Sequence, residues 1–199
     1  MASLSILFGY YTISIYKMFG QTYGKLNHDS YLTWVGSVGS VFTSLRFVWS
    51  AALDGAPYKL IYGILLFIQI VLALTMFFAV KTKVTYMVWV CGALFCEGGH
   101  FTLVPNILKK IFGNQATSLY GITLTYTGLS SLVMIALLET SLSKEYLLFY
   151  LITAGCSFVA LCILLFSFSE EKFEYDKDYL RENLAKSANT SNFQKKQLK

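Results

Sequence analysis

Two ionisable residues, Glu97 and His100, stand three positions apart inside an apolar run, FCEGGHFTLV. On a helix that spacing puts both on one face, with Cβ atoms about 5–6 Å apart. Each ionisable group at the centre of a lipid-embedded helix costs about 2.5–3.5 kcal/mol on the insertion scale, so such a pair faces protein or water. Two kinds of chemistry suit it. One is a proton relay or a contact with a polar substrate, because histidine changes charge near neutral pH. The other is a structural hydrogen bond, with Gly98 and Gly99 letting a neighbouring helix approach closely. A metal site is not expected. The chain has two histidines, and His28 falls in a stretch read as loop. Its four cysteines, at 91, 96, 156 and 162, form no CxxC pair and read as buried free thiols.

A second charged set lies in RFVWSAALDGAPYK: Arg46, Asp54 and Lys59. An arginine within an apolar run needs a partner or a route to the interface. Arg46 and Asp54 bracket the end of that run, where two interfacial charges are an equally good reading. Small residues form a third set. Gly36, Gly39 and Ser40, then Gly121 and Gly128, fall at spacings of three, four and seven, which let helix backbones pack closely in lipid.

The elements that must position these groups follow from composition. Of 199 residues, 55% are hydrophobic, against roughly 45–50% in a soluble domain. Mean hydropathy is +0.55. The apolar residues lie in long runs before residue 170. Crossing about 30 Å of hydrocarbon takes roughly 20 apolar helical residues. Six runs qualify as candidate spans: Ser3–Phe19, Tyr31–Leu53, Leu60–Val80, Val84–Val104, Ser118–Leu138 and Tyr146–Phe168. The first is short and carries Lys17 near its end, where a lysine can snorkel to the interface. The fold class expected is therefore all-α: a six-span bundle over 1–169, followed by a polar, partly helical tail at 170–199, with the lipid bilayer as first partner.

Connections are short. Lys81–Thr82–Lys83 reads as a basic turn and Asp54–Gly55–Ala56–Pro57 as a turn by its glycine and proline. Asn106–Asn114 reads as a longer loop, with Leu108 and Ile111 flat on the interface and Lys109 and Lys110 in water. With both ends on one side, the loops put five lysines (17, 25, 81, 83, 144) on the opposite side from three (59, 109, 110). Loop charge alone does not orient the chain. The tail carries seven basic and six acidic residues, too balanced for a nucleic-acid interface. Most of Tyr10, Tyr11, Trp34, Trp49, Tyr58, Tyr62, Tyr86 and Trp89 fall toward span ends, as an interfacial belt would place them. No phosphate-binding GxxxxGK[ST], no dinucleotide-binding GxGxxG after a strand and no GxSxG nucleophile elbow occurs. Neither an enzyme nor a cofactor is expected.

Two blocks carry a resemblance. VGSVGSVFTSLRFVWSAALDGAPYK is similar to the signature between the eighth and ninth helices of major facilitator superfamily transporters, an arginine followed by Gly-x-Leu-x-Asp-Arg-x-Gly-x-Lys. Arg46, Asp54 and Lys59 match it; Ser50, Gly55 and Pro57 stand where the family has glycine, arginine and glycine. GGHFTLVPNILKKIFGNQATSLYGITLTYTGLS resembles the tenth and eleventh helices of the oxalate/formate antiporter-type and monocarboxylate branches. The resemblance covers about residues 5–168 and corresponds to the C-terminal six-helix half. It implies one half of a fold that packs two halves around a midplane cavity. Both ends would then lie on the cytoplasmic or matrix side, in the mitochondrial inner membrane or the plasma membrane. The family's first six helices have no counterpart here, and the signature arginine is replaced by Gly55. Half of a rocking device has no partner half to rock against. The function expected is an accessory or structural subunit of a larger membrane assembly, with the tail as a contact. The alternative is a transporter of small organic anions, proton-coupled through Glu97 and His100, and completed by dimerisation or a second chain.

Overall fold

A computed structural model of the chain describes residues 2–24, 26, 29–139 and 146–168, with the backbone alone for 114, 133–134 and 137–139. The expected tail at 170–199, with its partner contact, lies outside the described residues, as does His28. Every regular element described is helical. In chain order these are α1 (Ala2–Ser5), α2 (Leu7–Gly24), α3 (Asp29–Ser44), α4 (Phe47–Gly55), α5 (Tyr58–Ala79), α6 (Lys83–Phe112), α7 (Ala116–Glu139) and α8 (Tyr146–Ser167). Helix occupies each of the six apolar runs. Among the described helices, three are long and apolar enough to cross a membrane: α5 and α8, whose most apolar stretches have mean hydropathies of 2.5 and 2.4, and α6 at 1.4. They are compatible with an integral membrane protein.

Two of the runs are broken. The first is α1 and α2, joined at Ile6. The second is α3 and α4, separated at Leu45–Arg46. There the ladder tightens to i→i+3 bonds, Val48 N–H to Leu45 O at 3.0 Å and Trp49 N–H to Arg46 O at 3.1 Å, as in a 3₁₀ turn. Arg46 sits at that junction.

Two expected connections are helical instead. Asn106–Asn114 is not a loop, because α6 runs through Pro105 to Phe112. Proline removes one N–H, and neighbouring helices can satisfy the carbonyl it frees. The helix stops at Gly113, whose φ of 56° is cheap for glycine and strained for other residues. Asp54 and Gly55 belong to α4; the connection to α5 is Ala56 and Pro57, both extended. The Lys81–Thr82 turn does form, and Thr82 caps α6 by accepting from the Thr85 N–H at 3.4 Å.

Around α6 pack α2, α3, α4, α5 and α7, while α8 lies against α5. Along α2 and α8 an aromatic cluster closes one side. Tyr11 stacks on Phe149 at 5.5 Å between centroids and meets Tyr150 edge-on at 5.1 Å, and Phe19 meets Tyr150 edge-on at 5.3 Å. Such pairs add about 0.5–1.5 kcal/mol each beyond area burial. Polar bonds tie the helices further. Thr43 Oγ1 donates to Leu94 O at 3.2 Å and Trp49 Nε1 to Phe95 O at 3.1 Å, pinning α3 and α4 to α6.

Candidate functional site

His100 is fully enclosed on α6, at 1% exposure. Its two ring nitrogens meet α5: Nε2 lies 2.7 Å from Gln69 Oε1 and Nδ1 3.2 Å from Tyr62 Oη. Both partners reach further. Gln69 Nε2 donates to Ser5 O on α1 and, at 2.8 Å, to Ser157 Oγ on α8. Tyr62 Oη lies 2.9 Å from Ser5 Oγ. Four helices thus meet at one connected buried network. A network of this kind is worth most when every member is satisfied, and here every polar atom of His100 and Gln69 has a partner.

Glu97 shares the helix but not the network. It is 2% exposed, and neither carboxyl oxygen has a hydrogen-bond partner among the described residues. It turns toward α2, where a Cβ added to Gly9 would stand 1.4 Å from Oε2. Gly9 is therefore the notch that admits the carboxyl group. The structure does not bond Glu97 to His100; one packs on α2, the other on α5.

The glycines divide. A Cβ on Gly98 would meet Thr43 O at 2.5 Å, on Gly99 Leu65 Cδ1 at 2.3 Å, on Gly39 Leu94 Cδ1 at 2.2 Å and on Gly36 Tyr16 Oη at 2.2 Å. These four mark close approaches. Gly121 and Gly128 on α7 meet open space among the described residues, so nothing in this bundle makes them packing glycines.

The charged set Arg46, Asp54 and Lys59 is not brought together. Lys59 donates to Leu165 O at 2.7 Å and Phe168 O at 3.2 Å, capping the last turn of α8. Asp54 lies on α4. Arg46 instead lines a groove of about 690 Å³ between α2, α3 and α6, walled by Ile13, Tyr16 and Leu94 and studded with the hydroxyls of Thr33, Ser37, Ser40, Thr43 and Ser44. Ser37, Ser40 and Ser44 donate to the carbonyls of Thr33, Gly36 and Ser40, at 3.1, 3.0 and 3.0 Å. Back-bonding of this kind satisfies the donors inside the helix and leaves oxygen lone pairs facing the groove. Among the described residues the ion pair formed is Lys17–Asp29 at 3.7 Å, and Arg46 makes none.

Sequence reasoning missed Gln69, Tyr62, Ser5 and Ser157. Gln69 had a signal: it is the lone amide in the 22-residue α5, the most apolar of the three long helices. Groups of three or more His, Cys, Asp or Glu that could hold a metal are absent among the described residues. No family model matches the chain, and no curated protein matches it.

Proposed function

We propose that the chain forms a six-span membrane bundle resembling the C-terminal half of a major facilitator transporter, and serves as an accessory or structural subunit of a larger membrane assembly. The observation that carries this reading is Arg46. It lies inside an apolar stretch, seven residues before Leu53, about 10 Å of helix rise. It is exposed, without an ion pair among the described residues, in a groove of hydroxyl oxygens. An unpaired guanidinium at that depth is costly in lipid. A neighbouring subunit that lays a carboxylate or backbone carbonyls into the groove removes the cost. In the family's architecture both ends would face the cytoplasm or matrix.

A second reading is favoured by the same groove. An exposed guanidinium suits the carboxylate of a small organic anion, so a transporter completed by a second copy or another chain would use Arg46 as a substrate contact. Purification from native membranes with mild detergent separates the two. A structural subunit comigrates at fixed stoichiometry with other chains, and Arg46→Gln weakens that association. A free homodimer that moves labelled monocarboxylate into liposomes overturns the subunit reading.

A further inference from the structure

We propose that a groove between α5 and α8 holds one acyl chain of an acidic phospholipid, with the lipid phosphate against Lys59. The inference rests on the membrane-bundle reading above and holds for a subunit and a transporter alike. The groove has a volume of about 520 Å³ and is almost wholly apolar. Leu60, Ile64 and Phe67 line it from α5, and Leu161 and Leu165 from α8. Gly63 keeps it open. A Cβ there would meet Leu164 Cδ2 at 3.7 Å and Leu161 Cδ1 at 4.0 Å, ordinary contacts, so this position has room for a side chain and carries none.

The length of the groove selects the occupant. It runs from Pro57, just before α5 begins, to Phe67, ten residues on. At 1.5 Å per residue that is about 15 Å, half of the roughly 30 Å of a hydrocarbon core. Since α5 has 22 residues, the groove stops near its midpoint. A docked transmembrane helix would call for a groove along the whole of α5. One acyl chain calls for the depth of a single leaflet, from the interface to the bilayer centre, and that is the depth present. The second chain of the lipid stays in the surrounding bilayer.

Lys59 marks the interfacial end. Its Nζ donates to Leu165 O at 2.7 Å and Phe168 O at 3.2 Å. These carbonyls fix the ammonium in place without cancelling its charge, and an ammonium has three donors. Among the described residues no carboxylate pairs with it. The stem borders the apolar groove and the head reaches the helix ends, as in a snorkelling lysine. An anionic headgroup above the groove meets that charge. A zwitterionic headgroup carries a cation of its own to the same place, so the acidic lipid is the better match.

The test uses the full chain, reconstituted into vesicles and extracted in mild detergent for native mass spectrometry. The probes are phosphatidylglycerol and phosphatidylcholine with identical acyl chains. The native chain should retain one phosphatidylglycerol, favoured about fivefold over phosphatidylcholine, the worth of one lysine beside anionic lipid. Lys59→Gln should erase the preference and Lys59→Arg should keep it. Lys81→Gln, beyond the opposite end of α5, should leave it unchanged. Gly63→Leu should fill the groove and abolish retention. Equal retention of the two lipids by the native chain, an equal loss in Lys81→Gln, or undiminished retention in folded Gly63→Leu overturns the proposal. The first of these uses the native chain and decides the matter if a variant fails to fold. A chain that alkaline carbonate strips from the vesicles overturns the membrane reading; a chain that stays inserted without a lipid preference overturns this inference alone.

Discussion

Two helices of this bundle present outward stripes with the same spacing and opposite chemistry. On α5 the stripe is Leu60, Ile64, Phe67, Val71, Leu74 and Phe78, all 40–66% exposed. On α3 it is Thr33, Ser37, Ser40 and Ser44, all exposed. Both repeat every three or four residues, so both form a continuous line on one helix face. The apolar stripe continues onto α8, where Leu151, Phe158 and Phe166 are exposed. Lipid covers such a surface without a partner. The hydroxyl stripe lies beside Arg46 in the α2–α3 groove, and lipid covers it poorly. Equal exposure thus means two different things, and in the membrane bundle proposed above residue chemistry decides which face meets the bilayer.

The largest expected effect separates the faces directly. Phe67→Lys should impair membrane insertion by about 2.5–3.5 kcal/mol, the cost of a lysine near a helix centre in lipid. Ser37→Lys, facing the groove, should cost much less. An insertion assay with both variants checks this, and equal costs would erase the distinction. Next comes the close approach of α6 to α3. Gly98→Ala drives a Cβ to 2.5 Å from Thr43 O, a backbone atom that cannot swing aside. It should lower stability by about 1–3 kcal/mol, read by thermal unfolding in detergent. Gly128→Ala, which meets open space, should be neutral or gain up to about 1 kcal/mol of helix propensity. A smaller loss is expected for Trp49→Phe. It removes the indole bond to Phe95 O while keeping the ring stack at 5.0 Å, a cost of about 1 kcal/mol in the same assay.

Much of this was legible in the sequence. Apolar runs alone located helix at all six expected positions, and the small residues at 36, 39, 98 and 99 announced close approaches that the structure contains. The misses have physical causes. Pro105 and the lysine pair after it suggested a loop, but a proline leaves the rest of the helical ladder intact. Gly121 and Gly128 carry the same spacing signal as the packing glycines and meet nothing among the described residues, because spacing says which face a residue shares and not what lies opposite. Spacing likewise put Glu97 and His100 on a common face, while two different neighbouring helices drew them apart. Arg46, Asp54 and Lys59 are near in sequence, yet the break at Leu45–Arg46 and the end of α8 claimed the two cations separately. The His100 network was hidden for a related reason: Ser5, Gln69 and Ser157 are 64 and 88 positions apart, and only the packed bundle makes them neighbours.

The central claim is that the α2–α3 groove faces protein or water while the α5–α8 surface faces lipid. Single cysteines at Ser40 and at Val71, in a chain whose four native cysteines are replaced by alanine, test it most directly with a charged, water-soluble thiol reagent. In nanodiscs holding the isolated chain, the Ser40 position should react readily and the Val71 position should not. In native membranes, the Ser40 position should become protected by its neighbour. Equal reactivity of the two positions in nanodiscs would contradict the account.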